Sequence, residues 1–218
     1  MNKKVTYPDL FPLPAAGEVT QITDSIGWIR FNLPFALDHV NVWLLDGGAD
    51  GWTIIDSGFN DAPTLAAWEK LLAGAIAKKP VEKLFMTHFH PDHFGLAGYL
   101  HTQTAAPIYM TPGEWRMVQH LTDDDSIERL EQLYRPYYTH AGVANDMLEK
   151  LLDRRMRYRS VIHTPPPEVN HVHPDQTVTL AGKSWDIIGG YGHSPEHASL
   201  YCAEDSIFIA GDMVPVSY

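Results

Sequence analysis

Cysteine is almost absent from the sequence, which holds one, Cys202, among 218 residues. One thiol cannot close an internal disulfide, and the alternating apolar residues around Cys202 are typical of a strand, so we expect a reducing compartment. Long apolar runs are absent as well. A membrane-spanning helix needs about eighteen apolar residues in a row, and the sequence has no such run. The N-terminal residues, with Tyr7-Pro8-Asp9, lack the apolar stretch of a secretory signal. These absences predict a cytoplasmic protein without a membrane-spanning segment.

Positive charge is scarce too, because 16 Lys and Arg oppose 27 Asp and Glu, for a formal net charge of −11. Such a chain repels phosphate backbones and anionic membrane surfaces, which argues against general nucleic-acid or membrane binding. Residues 150–159 are the exception, because their cations outnumber the single Asp153. Charges on a helix face are usually only solvated. A nucleic-acid partner, if there is one, would contact the arginines of this patch, Arg154, Arg155, Arg157 and Arg159.

The hydrophobic content of 44% over 218 residues suits one substantial core, so we predict a single domain over residues 1–218. Apolar residues alternate in short runs between residues 18 and 56, which is the pattern of an antiparallel sheet. The period becomes helical between Asp61 and Pro80, and Val81–Met86 then forms a short strand before a second helix from Phe94 to about His101. Strand signals return between residues 178 and 210. The predicted fold class is α/β.

Residues 112–159 are predicted to form a helical insertion between two α/β halves. Thr111 and Glu114 match a capping box, in which the two side chains bond free backbone N–H groups at the start of a helix. Helical periodicity continues from Ile127, is expected to stop at Pro136, and resumes at Val143.

The densest group of chemically active side chains is Thr87-His-Phe-His-Pro-Asp-His-Phe-Gly95, at the junction of a strand and a helix. In extended backbone, side chains two apart point the same way, so His88 and His90 can reach one ion at roughly 2.0–2.1 Å. Asp92 and His93 diverge from that face on the turn into the helix, which suits a second ion. The alternatives are solvated loop histidines or a structural metal, although structural zinc prefers cysteine-rich shells.

These residues resemble a motif of the metallo-β-lactamase fold superfamily, His-x-His-x-Asp-His after a strand. Three other segments are similar to further motifs of the family and occur in the same order: Thr53-Ile-Ile-Asp56-Ser-Gly58, Gly192-His193-Ser-Pro-Glu-His197 and Ala210-Gly211-Asp212. The resemblance implies a four-layer αβ/βα sandwich that is interrupted by the helical insertion at about 112–159.

The resemblance also implies a set of metal ligands. His193 would join the first two histidines of the dense segment around one ion, and Asp212 would bridge to a second ion held by Asp92 and His93. The implied ligands are His88, His90, Asp92, His93, His193 and Asp212. Asp92 is in addition the candidate catalytic residue, suited to steering a hydroxide or relaying its proton.

Other residues receive lesser roles. Asp56 resembles the family aspartate that orders the metal loop, with a simple turn former as the alternative. His197 is expected to be a donor that orients a ligand or a loop. His39 is similar to a position near the mouth of the site, although a hydrogen-bonded core histidine is as good an interpretation. His171-Val-His173-Pro-Asp175 copies part of the metal motif without its last histidine and is predicted to be a surface loop.

One feature departs from the family pattern. Family members carry a fifth motif, a histidine on a later strand that completes the second metal shell, whereas this sequence ends at Tyr218, six residues after Asp212. We therefore expect residues 1–218 to be part of a longer protein and to lack the C-terminal part of the fold. If the chain ends at Tyr218, we expect weaker binding of the second ion.

The expected reaction is hydrolysis by a metal-bound hydroxide, with two metal ions that lower the pKa of a water and polarise the scissile bond. Histidine and carboxylate ligands accept zinc, iron or manganese, with availability deciding, and zinc is the first choice here. Within the superfamily the sequence looks most like the glyoxalase II and β-lactamase-like protein 2 branch. The first choice of substrate is a small acyl ester or thioester, because the net charge disfavours a polyanion. The alternatives are an RNA phosphodiesterase that uses the arginine patch and a catalytically inactive metal-binding module. Oligomeric state, including a homodimer, stays open.

Overall fold

Two β-sheets lie face to face in the computed structural model of the protein, which describes residues 11–35 and 37–214. At positions 154–156 the backbone alone is described. The larger sheet has seven strands, ordered as in the chain: β1 (Thr20–Thr23), β2 (Ile26–Asn32), β3 (His39–Asp46), β4 (Trp52–Ile55), β5 (Val81–Phe85), β6 (Ile108–Met110) and β7 (Asn170–His171). The smaller sheet has the order β11-β10-β9-β8, with β8 (Thr177–Leu180), β9 (Lys183–Gly190), β10 (His197–Cys202) and β11 (Ile207–Ile209).

The helices within the described ranges are α1 (Ala62–Ala73), α2 (Pro91–Phe94), α3 (Ala97–Thr104), α4 (Pro112–Thr122), α5 (Asp124–His140) and α6 (Asn145–Met156). Short 3-10 turns cover Gly48–Asp50, Tyr158–Ser160 and Gly211–Met213. The α/β fold class and the helical insertion at about 112–159 are confirmed.

Three neighbouring parallel strands lead into the chemically active segments. β4 pairs in parallel with β5, and β5 pairs in parallel with β6, because helices cross over between them. The carboxyl ends of parallel strands meet at one edge of a sheet, where open α/β sheets bind their ligands. The segments that begin at Asp56, Thr87 and Thr111 therefore leave the sheet side by side.

The larger sheet packs helices on one face. In β3 the buried residues alternate, so Val40, Val42 and Leu44 share a core with Trp68 and Leu71 of α1. A fully buried side chain of this size contributes about 1.5–3 kcal/mol to folding. This core fixes the position of the sheet edge that carries the active segments.

The other face of the larger sheet packs against the smaller sheet. Leu45, Ile55 and Phe85 of the larger sheet share a second core with Trp185 of β9. Cys202 is fully buried in the same core. The strand position that the sequence predicts for this thiol is confirmed.

Helices, larger sheet and smaller sheet make three layers. On the outer face of the smaller sheet, Ile188, Tyr201 and Phe208 are exposed by 45%, 37% and 47%. Among residues 11–35 and 37–214, these side chains therefore lack a covering helical layer. The described residues thus supply three of the four layers that the resemblance implies.

Two helix predictions need correction. The helix predicted from Phe94 to about His101 begins later, at Ala97, because Phe94 ends the separate short helix α2 and Gly95 and Leu96 lie between the two helices. The predicted stop at Pro136 is wrong, because α5 continues through this residue to His140. Proline removes the hydrogen bond to the carbonyl four residues earlier. Here that carbonyl belongs to the exposed Gln132, and only a buried carbonyl without a partner is costly.

In the part of the chain that the structure describes, no helix combines the length and the apolar composition that a bilayer crossing requires.

Candidate metal centre

Three histidine nitrogens converge at the carboxyl ends of the parallel strands. Nε2 of His88 lies 3.0 Å from Nδ1 of His90, and this Nδ1 lies 3.0 Å from Nε2 of His193. The triangle closes at 3.2 Å between the Nε2 atoms of His193 and His88. His88 and His90 follow β5, whereas His193 lies in the loop between β9 and β10. The structure thus brings together the three side chains that the resemblance assigns to one ion.

A second group of donors adjoins this triangle through Asp212. Its Oδ2 atom lies 3.3 Å from Nε2 of His193, and its Oδ1 atom lies 3.2 Å from Nε2 of His93. One carboxylate therefore faces both groups. Asp92 lies beside the second group, with Oδ2 at 3.6 Å from the same nitrogen of His93.

Asp56 orients two of the histidines from behind. Its Oδ2 atom accepts a hydrogen bond of 2.8 Å from Nδ1 of His93, and its Oδ1 atom accepts one of 2.8 Å from the Thr87 backbone N–H. The Thr87 hydroxyl donates to the same carboxylate and lies 3.0 Å from Nδ1 of His88. Because both Nδ1 atoms are used in these hydrogen bonds, the Nε2 atoms of His88 and His93 face the site. The role expected for Asp56, ordering the metal loop, agrees with these contacts.

His88 and His90 are held in the neutral form. Burial lowers the pKa of His88 well below its usual value, and the neighbouring imidazoles, His93 first, lower it further. Burial also lowers the pKa of His90 to about 4, with the imidazole of His193 as the next cause. Metal ions bind the neutral imidazole. These two side chains therefore offer the ligand form at pH 7.

His93 has the opposite environment. Burial on its own lowers the pKa of His93, but the charge of Asp56 and hydrogen bonds to Asp212 and Asp56 outweigh it and raise the pKa well above the usual value. Burial raises the pKa of the Asp212 carboxyl, but the hydrogen bond and charge of His93 outweigh it and lower this pKa to about 2. Burial also raises the pKa of Asp92. The carboxylates around His93 thus stabilise a positive charge on its imidazole.

His197 holds the loop that carries Asp212. Its Nε2 atom accepts a hydrogen bond of 3.2 Å from the backbone N–H of Asp212, and the ring is fully buried. Burial lowers the pKa of His197 to about 4. A Cβ atom at Gly211 would lie 2.5 Å from this Nε2, so the close approach requires glycine. His197 orients a loop as expected, but Nε2 acts as an acceptor and not as the expected donor.

A cavity of about 460 Å³ opens beside His93 and Asp212. Its walls include His39 and Asn41 of β3, together with the apolar side chains Leu37, Val40, Trp43, Phe208 and Val214. A volume of this size is ordinary for a small-molecule site. His39 therefore lies in the wall of the cavity beside the candidate centre.

The donor set fits a metal ion. Nitrogens that bind one tetrahedral zinc at about 2.0–2.1 Å lie roughly 3.3 Å from one another. The triangle of His88, His90 and His193 measures 3.0–3.2 Å. The ligand atoms of His88, His93 and Asp212 also lie within 4.8 Å of one another. The first group offers three histidine nitrogens and the second offers histidine and carboxylate donors, and both sets suit zinc, iron or manganese.

Other candidates from the sequence lie elsewhere. His171 and His173 are exposed as predicted, but the surface loop is wrong for His171, which lies on the edge strand β7. In the arginine patch, Arg157 pairs with Asp153 at 2.8 Å, and Arg159 pairs with an exposed aspartate of α5 at 2.8 Å. The side chains of Arg154 and Arg155 lie outside the described residues.

The predicted capping box at Thr111 and Glu114 is wrong. The Thr111 hydroxyl makes no bond to the helix it precedes and donates instead to the Glu196 carbonyl at 2.7 Å. Glu114 turns away from the helix start and bonds both metal-site loops. The sequence carried a signal for this, because Glu114 shares a helical face with the buried Val118 and Leu121. Sequence reasoning missed that a charge on an apolar face needs partners from elsewhere in the fold.

The sequence and the fold of this chain are similar to those of known proteins. A sequence profile of the metallo-beta-lactamase superfamily matches residues 36–217. A beta-lactamase domain protein from Burkholderia ambifaria superposes with a TM-score of 0.78 and 31% identity, over 96% of this chain and 60% of that one. A metallo-beta-lactamase family protein from Thermus thermophilus superposes with a TM-score of 0.73 and 23% identity, over 91% of this chain and 62% of that one. The second similarity concerns the fold alone.

The probable metallo-hydrolase YqjP of Bacillus subtilis is 37% identical over 75 residues, which make up 34% of this chain and 23% of that protein. This chain therefore spans less than two thirds of the length of these relatives.

Proposed function

Because the chain belongs to the metallo-beta-lactamase superfamily, we propose that it is a metal-dependent hydrolase that acts on a small acyl ester or thioester, with two zinc ions as cofactors. The observation that carries the proposal is the convergence of three histidine nitrogens within 3.2 Å of one another, next to a carboxylate that faces a second donor group. The narrower resemblance to the glyoxalase II and β-lactamase-like protein 2 branch stays a prediction.

The ligand assignment follows the two donor groups. His88, His90 and His193 would hold one ion, and Asp92 and His93 would hold the other, with the Asp212 carboxylate shared between them. When bound, such ions supply Lewis acidity that activates water and polarises the scissile oxygen. Iron or manganese would satisfy the same donors.

Several side chains of the protein itself have defined tasks. Asp56 bonds Nδ1 of His93 directly and orients Nδ1 of His88 through Thr87, so that Nε2 of each ring faces the ligand position. Asp92 lies at the cavity wall, and burial raises the pKa of its carboxyl. A carboxylate beside the reacting centre is suited to accept and release a proton at Oδ. Asp92 is therefore the proposed proton carrier.

The substrate class is supported by the cavity and the overall charge. Apolar walls at Trp43 and Phe208 suit an acyl chain, and Asn41 offers an amide for orientation. The net charge of −11 disfavours a polyanionic substrate. Both features favour a small acyl compound over RNA.

The test is a hydrolysis assay on protein loaded with zinc or iron, with acyl-thioesters and acyl-esters as substrates. His88→Ala should lower turnover by more than the roughly 10–100-fold typical of a residue that only orients a ligand. His171→Ala, which removes an exposed histidine from β7, is the matched control and should leave turnover unchanged. Equal turnover in the His88→Ala variant would refute the proposal.

The same assay separates the alternatives. Cleavage of single-stranded RNA that falls steeply with salt would favour a phosphodiesterase. Metal binding without turnover on any of these substrates would favour an inactive metal-binding module.

A further inference from the structure

Glu114 lies on the first turn of α4 and is fully buried. Its Oε2 atom accepts a hydrogen bond of 2.9 Å from the backbone N–H of Phe89. Its Oε1 atom accepts one of 2.7 Å from the Ser194 hydroxyl and one of 2.6 Å from the Glu196 backbone N–H. One carboxylate thus hydrogen-bonds two loops that are far apart in the sequence.

The positions of these three partners matter for the candidate centre. Phe89 lies between His88 and His90, and Ser194 directly follows His193. The carboxylate of Glu114 therefore connects the peptide between two members of the histidine triangle to the residue beside the third.

Gly113 and Glu196 add a second link between the start of α4 and the His193 loop. Oε2 of Glu196 accepts a hydrogen bond of 2.6 Å from the Gly113 backbone N–H. A Cβ atom at Gly113 would lie 2.7 Å from Cβ of Glu196, so a side chain there would push the helix away from the loop. The start of α4 and the His193 loop are consequently held in one relative position.

The carbonyl of Phe89 is fixed as well. The Tyr158 hydroxyl donates a hydrogen bond of 2.5 Å to it, and the two aromatic rings pack at a centroid distance of 5.9 Å. Both backbone polar groups of Phe89 are therefore bonded to side chains of the helical insertion. The helical insertion thus directly fixes the backbone of the segment that carries His88 and His90.

A buried carboxylate is costly unless it is fully hydrogen-bonded. Among the described residues Glu114 forms no ion pair, so three donors alone compensate for its burial. Two of these donors are backbone N–H groups, which can only donate, and they use different oxygens of the carboxylate. Glutamine at this position would turn its NH₂ group toward at least one of them.

We propose that Glu114 is a positioning residue, whose carboxylate sets the distance between the His88–His90 segment and the His193 loop and so preforms the three-histidine triangle. This inference rests on the proposed metal site. It assigns to the helical insertion a part in building that site.

The test is Co²⁺ binding, measured by competition with a chelator and by the visible absorption of bound Co²⁺, whose intensity reports ligand geometry. We compare the full chain with its Glu114→Gln and Val118→Ala variants. Val118 lies one turn further along α4, is fully buried and has no polar side-chain atom to bond either loop, so Val118→Ala loosens the same helix without removing the carboxylate. Glu114→Gln should weaken binding of the first ion by about 10–100-fold and change the spectrum, whereas Val118→Ala should stay within about twofold.

An affinity and spectrum of Glu114→Gln equal to those of the unmodified chain would overturn the inference. So would an equal loss of affinity in both variants, because that result would indicate a structural effect alone. If Glu114→Gln does not fold, Ser194→Ala removes one donor to the same carboxylate and should weaken binding at least about threefold, with an unchanged affinity overturning the inference. Absence of Co²⁺ binding by the unmodified chain would instead refute the proposed function.

Discussion

Replacing Asp56 by asparagine removes the charge behind the histidines and leaves the side-chain shape unchanged. Asparagine also tolerates the left-handed backbone at this position, where φ is 66°. The carboxylate accepts hydrogen bonds from the N–H and hydroxyl of Thr87 and from Nδ1 of His93. In Asp56→Asn, one oxygen becomes an NH₂ group that faces a donor, so at least one charge-assisted bond of about 1.5–3 kcal/mol is lost.

The buried pair with His93 raises the cost further. Asp56 and His93 are exposed by only 2% and 4% in their side chains, and removal of one partner of such a pair costs roughly 3–5 kcal/mol. We therefore expect the free energy of unfolding of the metal-free protein to fall by about 3 kcal/mol. For a chain of this size that corresponds to a loss of roughly 6–12 °C in Tm.

Urea unfolding of the metal-free variant, followed by tryptophan fluorescence, measures this loss. Asp175→Asn is the matched control, because Asp175 also has a positive φ, of 64°, but is exposed. The control should stay within about 0.5 kcal/mol. An equally small change in Asp56→Asn would refute the claim that Asp56 bonds and orients the histidines.

Further predictions concern acid, metal removal and the cavity. Acidification of the metal-free protein from pH 6.5 toward 4 should lower its stability, because burial lowers the pKa values of folded His90 and His197 to about 4 and the unfolded state binds protons first. A Tm that stays constant over this range would contradict the buried neutral histidines. A chelator should lower the Tm of metal-loaded protein, since an ion at 100 times its Kd contributes about 2.7 kcal/mol, and His88→Ala should abolish this difference. Phe208→Ala, which trims a cavity wall that is half exposed, should raise KM for a long acyl thioester about tenfold and leave kcat and Tm nearly unchanged; a lower kcat at constant KM would argue against acyl binding there.

The site residues differ in how far local sequence reveals them. His88 and His90 are predictable because their spacing and the strand before them lie within a few residues. The placement of His193 and Asp212 came from family resemblance, since no local pattern links them to a segment more than a hundred residues earlier. The structure adds the reason for their proximity, which is that the smaller sheet packs its loops onto the same edge of the larger sheet.

Glu114 and Pro136 show why some local patterns mislead. The capping-box pattern at Glu114 satisfies local rules, but tertiary donors at Phe89 and Glu196 compete for the carboxylate and win because the residue is buried. Proline usually ends a helix, but α5 is exposed around Pro136, where the loss of one backbone hydrogen bond does not leave a buried carbonyl without a partner. In both cases the deciding factor is burial, which depends on the whole fold.

The measurement that tests the central claim most directly is metal content per chain, determined by plasma mass spectrometry after loading with zinc and dialysis. The account predicts at least about one zinc per unmodified chain, a loss of this ion in His88→Ala, and a lower content in Asp212→Asn, whose bridging carboxylate is altered. A chain that retains no zinc, or a His88→Ala variant that retains as much as the unmodified protein, would contradict a metal centre built on the three histidines.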